Sequence, residues 1–268
     1  MMKLSAINHS AQYFATHHAL LWRITRNELK TRYAGSIFGM GWAVLTPLLM
    51  IAIYAVVYLV IFRIQIPGLS SAQYVLFIFS GLVPFLMTSE AISLGVGSVV
   101  ANKSVLSNTV FPIDLAPPKA VLLSQITMIV GLVVILTASI FTKTISWTII
   151  FLPLLWGLHL LALTGLLWIL SLINLVFRDL MNLVNLLLMM IMILSPIAYT
   201  PEMVPASLKP ILIVNPMAYF VVAYQKTLIL GRLPGIWNML VLIIFSVGLF
   251  GVGGYFFARA KHVFIDYV

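Results

Sequence analysis

The segment RNELKTRYAGSIFGMGWAVLTPLLM, Arg26 to Met50, sets the class of the molecule. Its first seven residues carry Arg26, Glu28, Lys30 and Arg32, and its last fifteen carry no charge. A basic stretch that turns directly into an apolar one marks the passage of a chain from a membrane surface into the membrane. The whole chain agrees. Of 268 residues, 62% are hydrophobic and 8% charged, with a mean hydropathy of +1.13, where soluble domains carry about 25% charged residues. A core of this length cannot hide that much apolar surface, so the bilayer is the solvent. The net charge of +9 does not indicate nucleic acid, because beyond the N-terminal segment the cations stand singly at the ends of apolar runs. The absence of cysteine excludes disulfides, thiolate metal sites and thiol catalysis. Residues 1–20 are polar, without the apolar core of a cleavable signal.

Six apolar runs are long enough to cross roughly 30 Å of hydrocarbon: Ile37–Phe62, Tyr74–Val96, Ala120–Phe141, Thr148–Val176, Leu180–Tyr199 and Trp237–Phe257. Backbone polar groups must be satisfied inside lipid, so the runs are predicted to be helices. The expected architecture is an all-α membrane protein, a single domain over 1–268 with a six-span bundle at 36–257 and a tail at 258–268. An even number of spans puts both termini on one side. Ten Lys and Arg fall on that side (Lys3, Arg23, Arg26, Lys30, Arg32, Lys103, Lys119, Arg178, Arg259, Lys261) and five on the other (Arg63, Lys143, Lys209, Lys226, Arg232), which makes the terminal side cytoplasmic.

Between the fifth and sixth runs, the connection Thr200–Gly235, with its external segment at 200–233, holds two apolar patches, Ile211–Val214 and Ala218–Leu230, cut up by Pro201, Pro205, Pro210, Pro216 and Pro234. Each patch is too short to span. Two short re-entrant helices turning at Asn215-Pro216 are expected; a surface loop with one interfacial helix is the alternative. Over 12–34 a helix places Phe14, Leu21, Trp22, Thr25, Leu29 and Tyr33 on one side and Arg23, Arg26, Asn27 and Lys30 on another. Such a helix lies among lipid headgroups, and Gly35 permits the sharp turn into the first span. The simpler reading is that these cations only fix topology.

No enzyme constellation emerges. The six acids (Glu28, Glu90, Asp114, Asp179, Glu202, Asp266) are scattered, His17 and His18 face different ways on a helix, and His159 stands alone inside the fourth run. A lone intramembrane histidine is more often bonded to a neighbouring helix than catalytic. Glu90 is the one acid within a span. It faces a polar cavity or an interface, or it reaches water from near the cytoplasmic half. GSVVANKS, Gly97 to Ser104, approximates a phosphate loop, but Asn102 replaces the second glycine and no strand precedes it, so the chain is not expected to bind ATP. Trp42, Tyr54, Tyr58 and Phe85 lie in spans. They would stack on sugar rings along a carbohydrate path, or they simply pack or face lipid.

Four segments resemble the permease subunits of bacterial ABC exporters of polysaccharides such as O-antigen, capsule and teichoic acid. LKTRYAGSIFGMGWAVLTPLL (Leu29–Leu49) is similar to the start of their first span, NKSVLSNTVFPID (Asn102–Asp114) to a cytoplasmic loop, FRDLMNLVNLLLMMIMILSPIAYTPEMVP (Phe177–Pro205) to the fifth span, and NPMAYFVVAYQ (Asn215–Gln225) to an Asn-Pro element before the last. The likeness runs from about Arg23 to the end, in matching order. It implies a homodimer around a central path and two copies of a separate ATPase, which would hold ATP and Mg; this chain would bind no cofactor. It further implies a coupling loop at 98–114 (Asn102, Lys103, Val105, Leu106, Phe111, Pro112, Asp114) and an interface helix with its turn (Trp22, Arg23, Arg26, Lys30, Arg32, Gly35). The glycan path would run along Trp42, Tyr54, Tyr58, Phe85 and Glu90, and an external gate would be built by Pro201, Pro205, Asn215, Pro216 and Tyr219. The cargo would be a lipid-linked polysaccharide crossing the bacterial inner membrane, with surrounding lipids as further partners and no nucleic acid. One departure stands out: where the family often has Arg after the Tyr of the Asn-Pro element, Tyr224 is followed by Gln225 and Lys226. Competing readings are an ABC permease for a drug or small lipid, a membrane enzyme of lipid-linked sugar assembly, and an ion-coupled transporter working alone.

Overall fold

The computed structural model describes residues 5–62, 68–101 and 112–265, and every regular element among them is helical. Helix α1 (Ser5–Arg32) packs across the base of the bundle against α5 and α10, defined below. It starts earlier than the expected residue 12. It ends in a turn where Gly35 takes a φ of +79°, a left-handed conformation that glycine adopts without a Cβ clash, and Tyr33 O receives both the amide and the hydroxyl of Ser36.

Helix α2 (Trp42–Val56) carries Pro47 and continues as a π-helical stretch to Phe62. Helix α3 (Ser71–Val96) is the axis of the molecule, buried from Tyr74 through Phe85. Its start is fixed by a capping box: Ser70 accepts from the Gln73 amide, and the Gln73 side chain accepts from the Ser70 amide. A short turn α4 (Ser98–Ala101) follows. Helix α5 (Ala116–Phe141) opens on Pro117-Pro118, where the missing N–H groups are harmless. Helix α6 (Leu152–Val176) returns antiparallel, and α10 (Ile236–Ile265) closes the bundle against it.

The α6–α10 contact is made by backbone. A Cβ on Gly165 would collide with the Leu249 carbonyl, and one on Gly253 with the carbonyl of Gly165. Where apolar helices meet in lipid, no hydrophobic difference drives them together, and close backbone approach at small residues supplies the attraction.

Among the described residues, five helical stretches are long and apolar enough to span a membrane, Gly39–Val56, Ser71–Val96, Ile113–Phe141, Trp147–Val176 and Ile236–Ala260, and a bent helix pair over 206–228 is a sixth if taken as one span. The run expected as a fifth span over Leu180–Tyr199 is helical only over its first fifteen residues. Its helix, α7, covers only Leu180–Leu194, about 22 Å at 1.5 Å per residue. Pro196 explains the break: it forces Ser195 out of the helical region, to φ −83° and ψ 142°. The six residues that follow are not helical.

After this break come α8 (Lys209–Val214) and α9 (Pro216–Leu228), bent 94° from each other at Asn215. The surface-loop alternative fails for α9. Phe220, Val221, Ala223, Tyr224 and Leu228 are all buried, and the helix is wedged against α3, α6 and α10. α8 is exposed. A 13-residue helix rises about 20 Å, too short to cross, and its burial in protein is what lets it sit among spans.

Gly165→Leu is expected to break the α6–α10 seam, because overpacking against backbone has no flexible side chain to displace. The detergent-solubilised variant should unfold well below wild type, while Gly157→Ala, whose added carbon meets nothing within 4 Å, should unfold with it. Equal midpoints for Gly165→Leu and wild type would contradict the seam.

Candidate functional site

At the base, two ion pairs tie α1 to the bundle. Lys119 Nζ of α5 lies 3.0 Å from Glu28 Oε2, and Arg32 Nη1 lies 3.2 Å from Glu90 Oε1 of α3. Lys119 is buried, and a buried cation left without its partner is strongly destabilising. Glu90 is further held by the Thr127 hydroxyl of α5, which donates to Oε2 at 2.5 Å. The acid that the sequence left between a polar cavity and water is therefore a joint between α1, α3 and α5. It also lines a cavity of about 350 Å³ with Arg32, Tyr33, Thr46, Pro47 and Thr127. Trp22, Arg23, Arg26 and Lys30 are exposed on the outer side of α1, while Leu21 and Thr25 face inward.

The aromatic candidates separate. Tyr54 and Tyr58 stack at 6.4 Å between centroids, half-buried, and the Tyr54 hydroxyl reaches Met192 Sδ of α7 at 3.7 Å. Trp42 makes an edge contact with Phe38 at the start of α2. Phe85 is 2% exposed within the core, so its place in a lining path is withdrawn: on α3, the most buried helix, its ring faces packed side chains. Glu90 belongs with Arg32 rather than with the tyrosines.

Of the coupling-loop residues, Asn102, Lys103, Val105, Leu106 and Phe111 lie outside the described residues. Pro112 is extended, and the Asp114 carbonyl accepts the Trp168 indole N–H at 3.0 Å. Buried Ile113 and Leu115 anchor this end of the loop to the bundle.

At the far end, Asn215 is a double fastener. Its Oδ1 caps the Met217 amide at 3.0 Å, and its Nδ2 donates to Ser195 Oγ at 2.9 Å. Pro216 opens α9 at a position that needs no N–H. The Tyr219 hydroxyl donates to the Ile213 carbonyl, and Pro201 and Tyr219 share a small apolar groove. Pro205 lies apart, on an exposed turn. Glu202 is held below the ordinary carboxylate range by hydrogen bonds from its own backbone amide and from Thr200, helped by Lys226 and Lys209.

Sequence reasoning missed the most constrained group here. Gln225 is buried, and its Nε2 donates to the carbonyls of Pro196 and Ile197 at 2.9 and 3.0 Å. The Tyr74 hydroxyl donates to Ala198 O at 2.9 Å. Together they supply donors to the backbone that the α7 break leaves bare. Gly81 makes room: a Cβ there would press on Gln225 and Val221. The signal was present, in the Ser-Pro-Ile break and in the Gln that stands where Arg is common. His159 is likewise bonded to a neighbouring helix. It shares a 2.8 Å hydrogen bond with Thr88 Oγ1 and stacks on Phe220 at 4.1 Å.

The sequence model of the ABC-2 type transporter family matches residues 19–229 of the chain. Among curated proteins, two from Klebsiella pneumoniae named O-antigen export system permease protein RfbA are similar, at 30% identity over 224 residues and 29% over 223, each covering 80% of this chain and 82% of its own. A protein of the same name from Myxococcus xanthus is 26% identical over 253 residues, covering 93% of this chain and 95% of its own.

Gln225→Leu should leave two buried carbonyls without donors, at about 1–3 kcal/mol for each. The thermal unfolding midpoint in detergent should fall clearly below wild type. Unchanged stability would mean that other groups satisfy Pro196 and Ile197.

Proposed function

The chain belongs to the ABC-2 type transporter family, and on that premise we propose that it is the membrane-spanning subunit of an ATP-driven exporter of a lipid-linked polysaccharide. Its O-antigen-named relatives, aligned over most of the chain, support the cargo class. The observation that carries the mechanism is the double ionic attachment of α1 to α3 and α5. A helix with an exposed basic face, bound to the spans at two points, passes a push from below directly into the bundle.

In this reading two copies of the chain pair in a bacterial inner membrane with both termini cytoplasmic. Two copies of a separate ATPase, carrying ATP and Mg, dock beneath α1 and the 98–114 loop. The outward faces of α2 and α7 are apolar and unpartnered within one chain, with Ile53, Val56, Leu186, Met189 and Ile193 exposed. They flank the Tyr54–Tyr58 stack and suit a second copy along a shared path. Movement of α1 would reach α3 through Arg32–Glu90 and α5 through Glu28–Lys119. At the other end, α8 and α9 would close the external mouth, with Asn215 holding the bend.

The test is co-purification. The tagged chain, expressed with its genomic neighbours, should bring down a nucleotide-binding subunit in equal amount, with ATPase activity stimulated by a lipid-linked glycan. The same partner without glycan stimulation would point to a drug or lipid cargo, and no ATPase partner would overturn the exporter reading. Reversing Arg23, Arg26 and Lys30 to Glu should weaken that co-purification. Normal assembly and export in this variant would reduce those cations to topology signals.

A further inference from the structure

The end of the bundle away from α1 holds cations that topology does not call for. Lysine and arginine normally gather on the untranslocated side, yet Lys143, Lys226 and Arg232 converge near the N-terminus of α3, about 25 Å along that helix from Glu90. They come from three different elements. Lys143 lies in the turn after α5, Lys226 in the last turn of α9, and Arg232 in the link to α10.

Two adjoining chambers, of about 610 and 300 Å³, share Phe77, Thr200, Leu230 and Arg232 in their walls. Lys143 lines the larger and Lys226 the smaller. Uncharged hydrogen-bonding groups stand between the cations: Gln73, Thr144 and Ser146 in the larger, Gln225 in the smaller. The one acid in the walls is Glu202, which is kept ionised by the hydrogen bonds described above. Three cations against one carboxylate leave a surplus of two positive charges, and among the described residues none of the three lies within ion-pairing distance of an acid.

The walls are braced. Lys143 sits at φ +55° in the left-handed position that ends a helix, where glycine is the low-strain choice. Its amide bonds Ile140 O, and the Thr144 amide bonds Ser139 O. The turn carrying Arg232 is held by its amide on Lys226 O, and Gly231 packs against Ser146. Thr148 Oγ1 donates to Thr227 O at 2.7 Å, pinning the α5–α6 connection to α9. A cationic concavity braced this way loses little freedom on taking up an anion. Its apolar walls, Leu69, Ile145 and Leu233, favour an anion with a greasy appendage.

We propose that the joined chambers bounded by Lys143, Lys226 and Arg232 form a binding site for a phosphoryl group, carried by a lipid headgroup or present as free phosphate. The site goes beyond the export reading and does not rest on it. The phosphoryl oxygens accept from the two lysines and the guanidinium in charge-assisted hydrogen bonds, with the Thr144 and Ser146 hydroxyls at hand to complete the shell. Any apolar tail lies along Ile145 and Leu233.

The test uses the purified full chain in a phosphate-free maltoside detergent at low salt, titrated calorimetrically. The probes are dihexanoylphosphatidic acid, inorganic phosphate and, as a neutral control, dihexanoylphosphatidylcholine. Dihexanoylphosphatidic acid should bind saturably, more weakly as salt rises. The Lys143→Gln/Lys226→Gln/Arg232→Gln variant should bind it roughly tenfold more weakly or worse, whereas Arg259→Gln, which removes one charge near the opposite end of α10 from the chambers, should bind as wild type. Glu202→Gln should tighten binding by about threefold, a gain that no folding defect would mimic. Displacement of the lipid by inorganic phosphate at comparable concentration identifies the phosphoryl group alone as the ligand; failure to displace identifies a lipid-borne one. Equal binding of the phosphatidylcholine, no saturable binding of either phosphate, or unchanged affinity in both the triple variant and Glu202→Gln would overturn the proposal.

Discussion

One side-chain amide makes the upper half of this molecule possible. A helix that stops inside a membrane protein leaves carbonyls that neither water nor lipid can satisfy, and α7 stops at Leu194. Gln225 supplies both of its N–H groups to that break, at Pro196 and Ile197. The position of α9 follows from it: the helix must lie deep enough to deliver Gln225, which requires the notch at Gly81 and the Asn215 bend that aims it inward. The apolar face of α9 favours its burial, and Gln225 makes that burial serve the break.

The lower half is governed by charge. Glu90 and Lys119 are ionisable groups on spans, costly in hydrocarbon unless paired, and each finds its partner on the same interface helix. The penalty for exposing them to lipid becomes a restraint on where α1 can lie. Thr127 extends the restraint by fixing the second oxygen of Glu90. The molecule is thus organised at one end by ion pairs and at the other by neutral hydrogen bonds to backbone.

Much of this was legible in the sequence for a physical reason: lipid imposes length and apolarity on spans, and both are local properties. The spans around α3, α5, α6 and α10, the Asn215-Pro216 bend and the basic helix before Gly35 were all read from local pattern. What escaped depended on rotation and depth. Phe85 and Tyr54 look alike in a string of letters, yet one helix turns its ring into the core and the other turns its ring toward Met192. Pro196 was visible, but that its carbonyl would need Gln225, 29 residues later, is a long-range fact that no periodicity carries. Glu90 stands out in the sequence as the one acid within a span, while its partner Arg32, 58 residues earlier, is counted there only among the topology signals and the interface helix.

The glycine contact between α6 and α10 also bears on motion. Side chains that interdigitate can slip past one another by changing rotamers, but two backbones in direct contact cannot. Gly165 and Gly253 therefore fuse α6 and α10 into one stiff plate. A bundle with such a plate has few ways to deform. Displacement entering at the base cannot be spread evenly over all the spans. In the proposed export cycle it would be taken up on the side of the loosely packed α2 and the short α7, with the glycine-welded pair as the frame against which they move.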